Sequence, residues 1–389
     1  MGPDELRPEL VTDGDGVSRV CAAAAAAGEL AVDTESDSLH SYHHKLCLIQ
    51  ISFAGRHVVV DPLACGRAAL QPFARLLADE GVEKVMHGAD YDLRVLDRDL
   101  GARVVRLADT QLAAQLLGEP QTGLAALVER EVGIVLDKKY QRADWGARPL
   151  EPELLAYAAG DTAYLAVLRA RLAARLEELG RAAWWAEECA ALEGVRWEPP
   201  VPDPLAFERV KGAKALAGEA RDRIAALWTW REGVAAAADV PPFKVLRAET
   251  MLALAATPPA DLAALGATPG IGRGTLRRSG GELVRVLASA APVPARERVG
   301  RPPVDRERER RVREARDARD RVAKELGIEG GVLAPRAGLE QVVDRRPAVE
   351  AELADCLGRR WRAAVLAPAL LVLVESWRDG ARRPDASPA

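Results

Sequence analysis

The stretch Glu29-Leu30-Ala31-Val32-Asp33-Thr34-Glu35-Ser36 decides the fold. It begins as a short, apolar, β-prone run and ends in two carboxylates two residues apart, the pattern of a buried strand whose end carries chemistry. Residues 45–53 (KLCLIQISF) and 57–62 (HVVVDP) follow after a loop and a turn at Gly55, and read as two more strands. Three strands so closely spaced predict an antiparallel meander. Beyond them the pattern changes. Residues 70–77 read as a helix, 82–88 (VEKVMHG) as a strand, and 89–101 (ADYDLRVLDRDLG) as a helix closed by Gly101. Residues 104–110 (VVRLADT) read as a strand again, and helical spacing runs from there to Leu179. A meander followed by βαβ units predicts an α/β domain with a mixed sheet flanked by helices.

The chain of 389 residues is too long for one core, and proline clusters divide it. Glu198 to Pro204 (EPPVPDP) cannot continue a helix, and Ala291 to Val304 mixes proline, glycine and charge. The predicted units are residues 1–198, 208–290 and 307–379, with 380–389 as a frayed tail. Helical spacing without strands predicts that the second and third are small all-α domains. With 49% hydrophobic and 29% charged residues the composition excludes a wholly disordered chain. The nearest approach to a membrane span, Ala363 to Val374, contains Pro368 and is flanked by Arg362 and Glu375, so it reads as a buried helix. The start, MGPDELRPEL, is acidic and lacks the apolar core of a secretory signal, so a cytoplasmic protein is expected. Five scattered cysteines without a CxxC pair predict reduced thiols. Residues 1–200 hold 21 Lys+Arg against 32 Asp+Glu, a net −11, and residues 201–389 hold 33 against 26, a net +7. That asymmetry fits a cationic or metal-dependent site in front of a polyanion-binding region, or two ordinary surfaces that have drifted apart.

Three acidic motifs are candidates for chemistry. Asp33 and Glu35, at i and i+2 of a strand, point to one face and can reach one cation. Asp92 lies in the first turn of the helix after HGADYD, with Asp90 expected as its cap and Asp92 projecting outward. Tyr157 and Asp161 in YAAGDTAYL are four apart and share a helix face, with Gly160 beside them to admit a close neighbour. Taken singly, these are also what a strand end, a helix N-terminus and a capping aspartate look like. Together, carboxylates from several elements can hold hard divalent cations, and a phenol can orient a water.

In this order the motifs resemble the tyrosine-bearing branch of the DEDD exonucleases, ribonuclease D above all. The likeness covers about residues 20–180 and includes LCLIQIS, VVDPLA, LADTQLAAQLLG and residues 136–150 (LDKKYQRADWGARPL). It implies a ribonuclease H-like fold, Asp33, Glu35, Asp92 and Asp161 as ligands of two Mg²⁺ or Mn²⁺ ions, and Tyr157 as the residue orienting the nucleophilic water. It implies hydrolysis of RNA from the 3′ end to nucleoside 5′-monophosphates, with tRNA 3′ processing as the setting. Ser36 stands where many relatives carry phenylalanine. A DNA exonuclease would use the same carboxylates, and a non-catalytic nucleic-acid-binding protein is the remaining alternative. Residues 227–256 and 269–280 (PGIGRGTLRRSG) resemble the helicase-and-ribonuclease-D C-terminal (HRDC) domain, and residues 307–379 a second, more diverged copy.

Substrate contacts are expected from Lys138 and Arg148, with Lys139 and Arg142 nearby, and from Arg273 and Arg277, with Arg278, behind the Pro269–Gly272 turn. On local sequence alone these are equally a solvated loop and a helix–helix connection. His40, His43 and His44 lack partners at zinc spacing and read as a loop near the site, and His87 as a packed strand-end residue. Residues 306–321 (RERERRVREARDARDR) read as a charged helical face.

Overall fold

A computed structural model describes residues 6–294 and 305–382. Its centre is a six-stranded sheet in the order β1-β4-β3-β2-β5-β6, formed by β1 (Glu9–Val11), β2 (Glu29–Ser36), β3 (Leu46–Phe53), β4 (Arg56–Val60), β5 (Glu83–Met86) and β6 (Leu107–Asp109). β2, β3 and β4 are the predicted antiparallel meander. β5 and β6 add in parallel on one side of it and β1 in parallel on the other. Every residue of β3 is buried, which is why LCLIQISF reads as one continuous run rather than an alternation. β6 is shorter than expected, and β1 was not foreseen. It is three residues long at the sheet edge, within a stretch that shows only acidity.

The helices of this unit are α1 (Gly14–Ala27), α2 (Pro62–Cys65), α3 (Gln71–Leu77), α4 (Asp90–Leu100), α5 (Thr110–Leu117), α6 (Leu124–Val132), α7 (Pro152–Ala163), α8 (Leu165–Glu178) and α9 (Ala182–Leu192). α7 crosses β2, β3 and β4, which brings its one-turn pair Tyr157 and Asp161 over the end of the meander. Asp109 caps α5 by accepting the amides of Gln111 and Leu112, and its other oxygen accepts the amide of Ala89 at 2.8 Å, tying the start of α4 to the end of β6.

The second unit consists of α10 (Glu219–Ala238), α11 (Pro242–Val245), α12 (Ala248–Ala256), α13 (Leu262–Gly266) and α14 (Arg273–Ala288). It has a separate core built on Phe207, Ile224, Leu227, Met251, Leu254 and Leu283. The third repeats this order with α15 (Arg306–Leu326), α16 (Gly330–Leu333), α17 (Arg336–Arg345), α18 (Glu350–Leu357) and α19 (Arg360–Arg382). Lengths of 20, 4, 9, 5 and 16 residues are matched by 21, 4, 10, 8 and 23. Its interior is not separate. Val312, Leu339, Leu353, Trp361 and Leu370 belong to the same apolar cluster as Leu116 and Trp185 of the sheet unit. At that junction the Trp184 and Trp361 rings stack at 4.7 Å. Glu188 accepts the Trp361 indole N–H at 2.8 Å and pairs with Arg359 at 3.0 Å and Arg362 at 2.8 Å. Glu187 accepts the amides of Arg360 and Trp361, the first of α19. A Cβ on Gly118 would stand 1.8 Å from the Gly327 carbonyl oxygen, so only glycine permits this approach of the two backbones.

The charged run lies on α15 and is laced by Glu307–Arg311 and Arg310–Glu314 pairs, as its spacing predicts. Most of the predicted break at 291–304 and tail at 380–389 falls outside the described residues. Among the described residues no helix is long and apolar enough to cross a membrane.

Candidate active site

β2 delivers Asp33 and Glu35 to one face, and the pairing with β3 shifts register between Glu35 and Ser36, where the strand leaves the sheet. Asp161 meets them from α7. Each of the three offers an oxygen that lies within 4.8 Å of the others. Asp92 stands beside this trio, close enough that its charge acts on both Asp33 and Glu35. It does not project outward as expected. It is buried and accepts a hydrogen bond from the Thr34 hydroxyl. Nor is Asp90 the cap of α4. Ala89 occupies that position, and Asp90 lies in the first turn, paired with Arg94 at 2.9 Å.

Four carboxylates in so small a volume repel one another. Burial, followed by the charges of Asp92, Asp161 and Glu35, holds the Asp33 carboxyl well above the usual carboxylate range. Burial and then Asp161 and Asp92 push Glu35 up to about 8. Burial raises Asp161 to about 7. It raises Asp92 to about 6, against the Thr34 hydrogen bond, which pulls the other way. Hard oxygen donors that disfavour their own ionisation fit a divalent cation, which supplies the missing counter-charge. Among the described residues no histidine joins this group. His40 instead binds the 137–149 loop, with Nε2 3.2 Å from the Arg142 carbonyl and Nδ1 3.6 Å from Asp144. His87 Nδ1 meets the Thr110 hydroxyl at 2.9 Å, as a packed strand-end residue does.

Tyr157 lies against the trio with its ring stacked on Trp145 at 6.1 Å and met edge-on by Tyr140 at 5.6 Å. Burial and the charges of Asp161 and Glu35 raise its phenol, so it stays protonated and can donate. Beside it opens a cavity of about 510 Å³, bounded by Leu6, Leu136, Tyr140, Tyr157, Gly160 and Asp161 among others. Among the described residues no group of the chain uses the space that Gly160 leaves. Nothing lies within 4 Å of where its Cβ would be.

Of the expected substrate contacts, Arg148 turns onto the chain itself. It forks onto Asp61 at 2.7 Å and also donates to the Cys47, Trp145 and Ala147 carbonyls, so all three guanidinium nitrogens are engaged in pinning the 137–149 loop. Lys138 is exposed, and Lys139 covers the Tyr140 ring. Arg273, Arg277 and Arg278 are exposed at the start of α14, far from the acidic group in sequence and on a separate core. Gly270, at φ +90°, could not be replaced there, because a Cβ would meet the Thr250 hydroxyl at 2.1 Å. Sequence reasoning passed over Thr34, Tyr140 and Trp145. For Thr34 the signal lay in its position between the two acids, and for the aromatic pair in residues 136–150.

A mixed sheet that gathers carboxylates from β2, α4 and α7 around a helical tyrosine defines a 3′–5′ exonuclease. The family model described as 3′–5′ exonuclease matches residues 8–177, and that of the HRDC domain matches residues 220–287. Ribonuclease D of Gluconacetobacter diazotrophicus is 35% identical over 292 residues, 74% of this chain and 73% of that protein. The catalytic core of RRP6 from Trypanosoma brucei aligns with a TM-score of 0.69 at 28% identity, over 75% of this chain and 81% of that one. RNase D of Escherichia coli, an exoribonuclease involved in structured RNA processing, aligns with a TM-score of 0.67 at 26% identity, over 96% of this chain and all of that one. The chain belongs to the ribonuclease D family. It is a 3′–5′ exoribonuclease acting on RNA, and its acidic group marks a divalent-metal site.

Proposed function

We propose that Asp33, Glu35 and Asp161 hold one divalent ion, that Asp33 and Asp92 hold a second, and that Tyr157 orients the attacking water. The observation that carries this reading is the convergence of three carboxylate oxygens within 4.8 Å, with Asp92 beside them. Mg²⁺ or Mn²⁺ bound there would supply charge stabilisation to the attacked phosphodiester and its leaving oxygen. The chain's own residues do the rest. The protonated Tyr157 phenol can both donate to and accept from a water, and its ring is held by Trp145 and Tyr140. The cavity beside it is large enough for a terminal nucleoside, whose departure as a 5′-monophosphate frees the next phosphodiester.

The natural substrates in this reading are tRNA precursors, or other structured RNAs with a single-stranded 3′ end. The matching helix order of residues 306–382 and 219–288 supports reading the third unit as a second, diverged HRDC-like module. Because the start of α19 is held by Glu187 and Glu188, RNA contacts fall to Arg273 and Arg277 on the first module, with Lys138 near the site. Contacts to phosphate and sugar give little sequence preference. Five free thiols fit a cytoplasmic setting.

Asp92→Ala and Asp161→Ala, assayed on a 3′-extended tRNA with Mg²⁺, should lose hydrolysis while still binding the RNA. Unchanged cleavage overturns the assignment. DNA oligonucleotides cleaved in preference to matched RNA would move the substrate reading to DNA.

A further inference from the structure

Gln50 is the one amide side chain of the wholly buried strand β3, between Ile49 and Ile51. It has no solvent exposure, and neither its Oε1 nor its Nε2 has a hydrogen-bond partner within the chain. Its place in the sheet makes this significant. In the antiparallel register Gln50 is directly opposite Asp33, as Leu48 is opposite Glu35 and Ser52 opposite Ala31. Directly opposed residues share a face, so Gln50 projects on the face that carries the acidic group. That face lies under α7. Leu48 packs with Ala158, and the Ser52 hydroxyl meets that of Thr162 at 2.7 Å. Gln50 is therefore enclosed between the sheet and the helix that carries Tyr157 and Asp161, beside the strand residue common to both proposed ion sites.

An amide has two donors and an acceptor, and leaving all of them unmet in a protein interior is costly when leucine would fill the same volume. Buried polar groups without chain partners are met by ordered water. The polar side chain opposite it is Asp33. We propose that Gln50 is a positioning residue, whose amide shares a buried water with the Asp33 carboxylate and so fixes the orientation in which Asp33 faces Glu35 and Asp161. The water donates one hydrogen to Gln50 Oε1 and the other to Asp33, and the amide N–H groups supply the donor side of the same network. This rests on reading Asp33 as a metal ligand and adds the residue behind it that sets its aim.

The test uses the full chain with Gln50→Leu and Gln50→Met, and Asp33→Asn alongside. Mn²⁺ alone is titrated calorimetrically without RNA, Tm is measured in EDTA, and kcat and KM are measured on an oligoribonucleotide. Both Gln50 variants should weaken Mn²⁺ binding about tenfold or more and lower kcat with little change in KM. Their Tm in EDTA should match or exceed that of the parent, because a buried amide held only through water gives way to an apolar side chain of similar size. Parental Mn²⁺ affinity and kcat in both variants overturn the proposal. So does a fall of several degrees in both Tm values alongside the weakened binding, since it marks a packing role. If Asp33→Asn retains full Mn²⁺ affinity, the metal-ligand reading itself fails. If Asp33→Asn loses it and the Gln50 variants do not, only the Gln50 assignment falls.

Discussion

Asp239, in the left-handed conformation at the end of α10, reaches across to the sheet unit and accepts the amides of Tyr42 at 3.1 Å and His43 at 2.9 Å on one oxygen. Its other oxygen faces Lys45 at 3.6 Å. Lys45 also pairs at 3.2 Å with the buried Asp37, two residues beyond Glu35. The first HRDC module is thus fastened to the loop that leaves the acid-bearing strand.

Asp239→Gly removes the carboxylate while keeping the left-handed backbone easy, and Asp239→Asn keeps an acceptor for the two amides. Limited proteolysis within residues 38–44 should run about tenfold faster in Asp239→Gly, the scale of losing hydrogen bonds to a charged group. Asp239→Asn should stay close to the parent. Equal cleavage of all three would show that the contact does not order the loop.

The acidic group should make the metal-free protein sensitive to pH. The folded-state pKa values of about 8 for Glu35, 7 for Asp161 and 6 for Asp92 lie above the unfolded carboxyl value of about 4. The fold therefore binds protons more tightly than the unfolded chain. The stability these groups contribute is full below about pH 4 and is lost as pH rises toward 8. In EDTA, Tm should fall from pH 5 to pH 8, and saturating Mn²⁺ should restore it at the upper end. A Tm in EDTA that rises across this range would contradict the clustering.

Thr34→Val replaces the hydroxyl that holds Asp92 with a methyl of similar size. The Thr34 bond lowers the Asp92 pKa, so its loss should raise it further. The acid limb of the pH–rate profile should move to higher pH, with a larger drop in kcat at pH 6 than at pH 8. An unmoved limb would remove Thr34 from the site.

Tyr157→Phe keeps the ring on Trp145 and removes only the phenol. Its kcat should fall about 10²-fold, the lower range for positioned proton-transfer groups, with Mn²⁺ affinity unchanged. Activity within twofold of the parent would dismiss the water-orienting role.

Glu188→Ala leaves Arg359, Arg362 and the Trp361 indole without their common acceptor. Breaking a buried pair from one side costs about 3–5 kcal/mol, which should appear as a large drop in the urea midpoint. Glu188→Gln, which keeps an acceptor for the indole, should cost less.

What could be read in advance follows from how local each signal is. The meander, Asp33 with Glu35, and Tyr157 with Asp161 are set by strand and helix periods acting over a few residues. β1 escaped because three residues between polar neighbours carry no period. Asp90 was expected as the cap because capping depends on the turn before the helix, and here Asp109 binds the Ala89 amide from 20 residues away. The pairing of Arg148 was not legible because nothing local announces its partner Asp61, 87 residues earlier. Gln50 carries no local signal within β3, since its meaning lies in Asp33, which stands across from it.

The shared interior also constrains the order in which the enzyme can mature. Leu116 and Trp185 are made well before Trp361 and Leu370, which belong to the same apolar interior. A growing chain can carry all four carboxylates and Tyr157 while its apolar interior is still open. The nuclease reaches its finished form only when α19 docks, so a copy broken off after the first module would be an aggregation hazard rather than a smaller working enzyme.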